Sequence, residues 1–172
     1  MAGDLDKRLK ITTRNHLVLH YHTLILMMIG IFCMHTIFNF EKDIVIIFLI
    51  FWALDIIPVF FLHYDYWHTN KGEEYEVLFD RLVRRKEGKR EEILGSDIEK
   101  IIIWKSASID KGGIPFLGIE SYYCVDVYLR AGNHFTLTCL LSPKIDLEIQ
   151  KLKNIPIKRI KWLFNPVKTK TS

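Results

Sequence analysis

The sequence predicts a membrane α+β protein, in which an N-terminal transmembrane helical hairpin precedes an antiparallel β domain that ends in a helix. Two apolar runs, at 23–40 and 44–62, are separated only by Glu41, Lys42 and Asp43. Each run reaches the roughly 17–25 apolar residues with which a helix crosses a bilayer. From residue 74 onward the pattern changes to short β-rich stretches divided by turn residues, which is typical of an antiparallel sheet.

The 172 residues divide into segments of different character. About 110 residues follow the second apolar run, which is the usual size of one compact domain. The predicted segments are a cytosolic N-terminal segment (1–22), a two-helix transmembrane hairpin (23–62), a juxtamembrane linker (63–73), a β domain (74–164) and a flexible tail (165–172).

Lys and Arg residues near the apolar runs predict the orientation. The leading segment contains Lys7, Arg8, Lys10 and Arg14, whereas the break between the runs contains only Lys42. Cytoplasmic loops are enriched in Lys and Arg. The chain is therefore predicted to be multi-pass, with both termini in the cytosol.

Six strands are predicted in the β domain, and short Gly-rich turns between them favour an antiparallel meander that closes as a bent sheet or partly open barrel. The predicted strands are 74–79, 81–86, 90–94, 98–108, 122–130 and 134–141. Ser142 and Pro143 are typical of a helix start, and this helix is expected to end near Asn154. An extended piece at 155–163 follows it.

A run of cations on the predicted 81–90 hairpin is the first candidate site. Its members are Arg81, Arg84, Arg85, Lys86, Lys89 and Arg90. A cationic hairpin beside a membrane can attract anionic lipid headgroups. The alternative is a solvated hairpin that also serves as a positive-inside signal and that Glu87, Glu91 and Glu92 partly neutralise.

Asp55 is the second candidate, because ionisable residues inside membrane spans are rare and often functional. Counting outward from a turn near Lys42 places Asp55 level with Ile29 and Gly30 on the first helix. Gly30 would allow close helix approach there, so Asp55 is expected to form a hydrogen bond across the hairpin or within a homo-oligomer. Ion translocation is the alternative, although His35 lies too far along the helix to form a proton pair with Asp55.

Histidine and aromatic residues cluster at the predicted inner membrane interface, where such rings anchor a protein. They are His16, His20, His22, His63 and His68 with Tyr21, Tyr64, Tyr66 and Trp67. The spacing of His63, Asp65 and His68 fits no compact metal site on a helix. The three cysteines, Cys33 in the first apolar run and Cys124 and Cys139 in the β domain, form no C-x-x-C pair, and the two in the domain are expected to stay reduced.

Known catalytic motifs provide no support for an enzyme. The sequence has no Gly-rich phosphate loop, no G-x-S-x-G and no H-E-x-x-H pattern. We therefore expect no catalytic residues, no cofactor and no metal. The net charge of +4 is accommodated by membrane topology, and nucleic acid is not expected as a partner.

Several motifs carry a resemblance to a known family. Residues 75–82 (Tyr-Glu-Val-Leu-Phe-Asp-Arg-Leu), Arg84, Gly88 and residues 96–101 (Ser-Asp-Ile-Glu-Lys-Ile) resemble the opening of bacterial pleckstrin-homology-like domains. Residues 58–66, 70–75, 105–108, 120–122 and 138–144 are similar to a small family of uncharacterised bacterial proteins that have two membrane helices followed by such a domain.

This resemblance implies a seven-stranded bent sheet closed by a C-terminal helix, in a protein of the bacterial cytoplasmic membrane. Relatives of this fold bind phosphoinositides, peptides or proteins. The resulting hypothesis is a non-enzymatic, membrane-tethered domain that binds a protein or anionic lipid. The alternative is a subunit of a small oligomeric transporter or channel in which Asp55 lines the assembly.

Overall fold

The computed structural model describes residues 8–115, 117–163 and Val167, without the side chain of His22. The expected flexible tail, apart from Val167, therefore lies outside the described residues, as does Lys7. The α-helices are α1 (Thr13–Thr36), α2 (Lys42–Asn70), α3 (Ala107–Asp110) and α4 (Ile145–Ile149). The strands are β1 (Arg8–Lys10), β2 (Glu73–Val77), β3 (Arg81–Lys86), β4 (Lys89–Leu94), β5 (Ile98–Lys105), β6 (Cys124–Leu129), β7 (His134–Thr138) and β8 (Ile157–Lys161).

The strands form two four-stranded sheets, with the orders β1-β2-β3-β4 and β7-β6-β5-β8. The predicted α+β class is confirmed. The predicted single meander is wrong, because its strands divide between the two sheets, and the extended piece after them, β8, pairs in parallel with β5, with Ile157 beside Ile101. The long connection from β7 through α4 makes this parallel return possible.

The predicted strands match the observed strands closely in the centre and less well at their ends. The β3 bounds agree with the prediction, whereas β5 ends at Lys105 instead of 108. The C-terminal helix is much shorter than expected, because α4 covers only Ile145–Ile149. Ser142 and Pro143 precede it as a turn, in which the Ser142 hydroxyl accepts a bond from the Lys144 N–H at 3.3 Å.

Strand β1 is an element that the sequence reasoning missed. Its three residues pair with β2, so that Leu9 lies beside Tyr75 in the core, where only 2% of Leu9 is exposed. Arg8 and Lys10 each lie 3.9 Å from Glu74. The domain therefore includes chain from before both long helices, and a fragment that begins near residue 70 lacks one of its strands.

The two long helices run antiparallel, with His16 against His63 near one end and Gly30 against Phe48 near the other. Helix α2 is long and apolar enough to cross a membrane. Helix α1 qualifies only if Thr13–Tyr21 and Thr23–Thr36, which are inclined by 42°, are taken as one span.

The last two turns of α2 are built into the domain. Leu62, Tyr66 and Asn70 are almost fully buried, and the first two belong to one continuous apolar core with residues of both sheets. The expected linker at 63–73 is thus mostly helix, since α2 continues to Asn70 and β2 begins at Glu73.

Candidate functional site at the helix–domain junction

Two asparagines fix the helices to the edge of the second sheet. The Asn70 amide donates to the Thr136 carbonyl at 2.9 Å, and its oxygen accepts from the Thr138 N–H at 2.8 Å. Asn15 on α1 donates to the carbonyls of Leu140 and Leu141 at 2.8 and 3.1 Å. Asn70 therefore occupies the edge of β7 much as a pairing strand would.

A chain of rings crosses the junction between α1, α2 and the start of β6. Nε2 of His63 lies 2.8 Å from Nδ1 of His16, and Nδ1 of His63 lies 2.8 Å from the Tyr122 hydroxyl. The ring of His20 packs on His63, with centroids 4.5 Å apart. Burial raises the pKa of Tyr122 well above its ordinary value, so this phenol stays protonated.

The histidines thus join the helices to the domain. His68 stacks on Tyr64 instead, at a centroid distance of 6.1 Å. Asp65, considered above as a partner of His63 and His68, accepts a hydrogen bond from the Val167 N–H at 2.7 Å. Among the described residues, no group of three or more His, Cys, Asp or Glu side chains is arranged to hold a metal ion.

Asp55 contacts the connection between β5 and β6, which covers residues 106–123. Its Oδ1 accepts a hydrogen bond from the Gly118 N–H at 3.0 Å. Gly118 opens a 3-10 turn, Gly118–Ser121, that packs against both helices. A Cβ at residue 118 would lie 2.7 Å from Val59 and 2.8 Å from Thr23, so only glycine fits this contact.

The expected alignment of Asp55 with Gly30 differs from the observed register. Gly30 faces the ring of Phe48, and Asp55 shares its surroundings with Thr23. The reason is the position of the turn: α1 ends at Thr36, and Asn39 and Phe40 adopt positive φ values of 46° and 55°. The reversal is centred near Asn39, three residues before Lys42. Each residue by which the centre of the turn shifts changes the residue opposite a given position by two, so Thr23 lies level with Asp55.

The cations of the predicted lipid-contact hairpin lie on β3 and β4, among carboxylates of the same sheet. Residues 73–92 carry six cations and seven carboxylates. Lys89 alone of the six has no carboxylate partner among the described residues. The ion pairs are Arg81 with Asp80 (2.8 Å) and Glu92 (3.1 Å), Arg84 with Glu73 (2.6 Å) and Glu91 (3.7 Å), Arg85 with Glu76 (3.6 Å), Lys86 with Glu73 (3.0 Å) and Arg90 with Glu92 (2.7 Å).

Glu73 is the buried centre of this network. It also accepts a hydrogen bond from the Tyr75 hydroxyl at 2.5 Å. Burial works to raise the Glu73 pKa, but the hydrogen bonds from Tyr75, Arg84 and Lys86 outweigh it and hold the pKa below its usual value. These side chains line an open cavity of about 290 Å³ that extends to His68.

The cysteines contribute no reactive thiol within the domain. Cys124 and Cys139 are buried and unpaired by disulfides. Burial raises the pKa of both thiols, that of Cys139 to about 12, so both remain protonated and unreactive at neutral pH.

Comparison with protein-family models, with curated proteins and with solved structures finds no match to this chain. The junction therefore stands on its own geometry. Sequence reasoning singled out His16, His63 and Asp55, named Asn70 and Tyr122 only within motifs of the family resemblance, and missed Gly118. Only the short apolar segment around Gly118, placed between two polar stretches, gave a usable signal for this contact.

Replacing Asp55 tests its bond to Gly118. Asp55→Asn keeps an acceptor oxygen, whereas Asp55→Leu leaves a buried N–H unpaired and should lower the free energy of unfolding by about 1–3 kcal/mol. Thermal unfolding of the full chain in mild detergent measures the stability of both variants. As a control, Asp43→Leu at the exposed start of α2 should change it by at most about 0.3–1 kcal/mol, through the helix dipole. Equal losses of stability in both Asp55 variants would contradict this role.

Acid should weaken the Glu73 network. A carboxyl with a lowered pKa in the folded state stabilises the fold above its unfolded pKa, and that stabilisation disappears as the pH falls through the folded value. Below about pH 4.5 the wild type should therefore lose stability more steeply than Glu73→Gln, which has no proton to bind. At neutral pH that variant should be less stable by about 1–3 kcal/mol.

Chemical unfolding of the full chain in detergent across this pH range measures the difference. Glu91→Gln is the matched control, because Glu91 is exposed and lies 3.7 Å from the same Arg84. Its pH profile should follow the wild type. Identical profiles for wild type and Glu73→Gln would refute the assignment.

Proposed function

We propose that this chain is a non-enzymatic membrane protein of the bacterial cytoplasmic membrane, in which α1 and α2 form a transmembrane hairpin and hold a pleckstrin-homology-like domain at the cytosolic face. The domain binds a protein partner there. Both termini lie in the cytosol. Anionic lipid is the competing ligand of the same domain.

The observation that carries this proposal is a belt of large apolar side chains exposed on both long helices. A core helix of a water-soluble protein would bury such residues, and patches of this size on monomers mark contact with membranes or proteins. The belt consists of Leu24, Ile25, Leu26, Met27, Met28, Ile29, Ile31 and Phe32 on α1, and Ile46, Ile47, Leu49, Ile50, Phe51, Leu54, Ile56, Ile57, Phe60 and Phe61 on α2.

The length of α2 supports the same arrangement. Its 29 residues measure about 43 Å at 1.5 Å per residue, against about 30 Å of bilayer hydrocarbon. The excess of about 13 Å corresponds to the last two turns, which carry the buried residues Tyr66 and Asn70. The helix is therefore long enough both to cross a bilayer and to enter the domain.

Charge pairing favours a protein over anionic lipid as the partner. Cross-strand ion pairs such as Arg84 with Glu91 and Arg85 with Glu76 leave the first sheet without a strong positive field. Headgroup attraction depends on unneutralised Lys and Arg near the surface. A protein surface can instead match an alternating pattern of charges.

Transport is the less supported alternative. The Asp55 carboxylate accepts a bond from the Gly118 N–H of its own chain, which accounts for a polar group at this depth. Two helices alone enclose no pathway. We therefore assign Asp55 a structural role.

Reporter fusions test the anchor. A reporter active only in the cytoplasm should work when fused after Ser172, and one active only outside the cytoplasm should work when inserted at Lys42, because the Lys- and Arg-rich segments remain inside. Enzymatic reporter activity in intact cells is the measurement. The inverse pattern, or cytoplasmic activity at both positions, would rule out two spans with both ends inside.

Photo-crosslinking tests the partner. A photoreactive residue in place of Arg90, which is exposed on β4 at the outer edge of the first sheet, should form a crosslink to one discrete protein in native membranes. The same residue at Ala131, in the exposed β6–β7 turn, is the control. Adducts with lipid alone at position 90, or the same adducts at both positions, would contradict protein binding.

A further inference from the structure

We propose that the β5–β6 connection is a third membrane element, in which residues 112–115 and 117–119 insert beside α2 into the acyl region of the same bilayer. This inference rests on the proposed function, since it needs α2 to span. The partner of the inserted segment is lipid hydrocarbon. Asp55 anchors the segment through Gly118.

The level of Gly118 along α2 gives the depth. Gly118 contacts Asp55, and Asp55 lies seven residues before Leu62, the last residue of the apolar run. Seven residues of helix measure about 10 Å. Gly118 therefore lies about 10 Å inside the apolar stretch, a third of the way through the roughly 30 Å of hydrocarbon.

The composition of the segment suits this depth. Residues 112–115 and 117–119 read Gly-Gly-Ile-Pro and Leu-Gly-Ile and carry no charge. Ile114 is 80% exposed, which is the largest exposure among the apolar side chains of the described domain. Leu117 lines an apolar cavity of about 260 Å³ together with Phe51 and Trp52 of α2. The glycines and the proline suit any turn, but a water-exposed loop has no physical reason to expose Ile114.

Several backbone N–H groups of the segment find partners within the protein, as irregular chain inside a bilayer requires. The N–H groups of Gly112 and Gly113 donate to the carbonyls of Ile109 and Ser108, at 3.0 and 2.8 Å. Pro115 has no N–H. The Gly118 N–H donates to Asp55. A half-buried carboxylate on the proposed membrane helix thereby gains a donor that explains its presence.

The base of the segment has the character of a membrane interface. Ser106 donates to the Glu120 carbonyl at 3.2 Å and holds the two ends of the connection together. Asp110 pairs with Arg159 at 3.2 Å, and Lys111 is exposed with a long side chain that can reach headgroups. The backbone N–H of Trp162 donates to the carbonyl of Lys105 beside this base, and the Trp162 side chain is 58% exposed there, where an interfacial aromatic is favoured.

Fluorescence quenching in vesicles tests the depth. The full chain with Cys33→Ser is labelled at single introduced cysteines and reconstituted in phosphatidylcholine–phosphatidylglycerol vesicles. Labels at Ile114→Cys and at Leu54→Cys on α2 should be quenched several-fold more by acyl-chain nitroxide lipid than by aqueous iodide. A label at Ala131→Cys should show the opposite preference. Cys124 and Cys139 are buried, and the unlabelled Cys33→Ser parent controls for their reaction.

The outcomes separate the inference from the proposed function. If the label at position 54 is quenched mainly by nitroxide lipid but the label at position 114 is quenched mainly by iodide, the loop lies in water. The inference is then wrong, while the proposed span of α2 stands. If the label at position 54 is also quenched mainly by iodide, as the label at position 131 is, the proposed membrane span of α2 is wrong as well. If the Ile114 label is protected from both quenchers, protein covers the loop, such as a second copy of this chain, and lipid insertion is overturned.

Discussion

The burial of the last two turns of α2 in the domain core is the constraint on which the rest of the structure depends. The side chains of Leu62 and Tyr66 belong to the apolar core of the domain, and Tyr66 packs edge-on against Tyr122 with ring centroids 5.5 Å apart. Once these turns are fixed, the direction of α2 relative to both sheets is fixed as well. A hinge between the helices and the sheets is therefore incompatible with this packing.

The same constraint determines where the polar groups of the helices lie. Antiparallel packing with a reversal centred near Asn39 brings His16 to His63 and Thr23 to the level of Asp55. Two of these polar side chains then bond to the domain, His63 to Tyr122 and Asp55 to Gly118, whereas the buried Thr23 hydroxyl has no hydrogen-bond partner among the described residues. Polar groups that domain atoms reach are thereby satisfied within the protein, which lowers the cost of placing them on otherwise apolar helices.

Sequence reasoning predicted the α+β class, the long apolar α2 and most strand positions, because period and turn chemistry are local signals. It missed β1, whose three residues form a strand only because β2 offers an edge, and the parallel pairing of β8, which depends on the path around α4. The Asp55–Gly118 contact joins residues 63 positions apart, which local periodicity does not predict. The predicted centre of the turn between the two long helices also lies three residues too late in the chain. An error in the register of the two helices leaves the pattern of apolar residues along the chain unchanged, so that pattern cannot reveal the error.

The charged residues of the first sheet and the apolar residues of the helices have different roles. Glu73 is buried beside the end of α2, so its charge requires compensation, and Arg84 and Lys86 provide it from the adjacent strand. Two of the six hairpin cations are thus needed to stabilise the fold at the point where helix becomes sheet. In the proposed arrangement, contact with the bilayer then depends on apolar surface, on the helices and beside Gly118, and the charged sheet is left to present a patterned face to a partner.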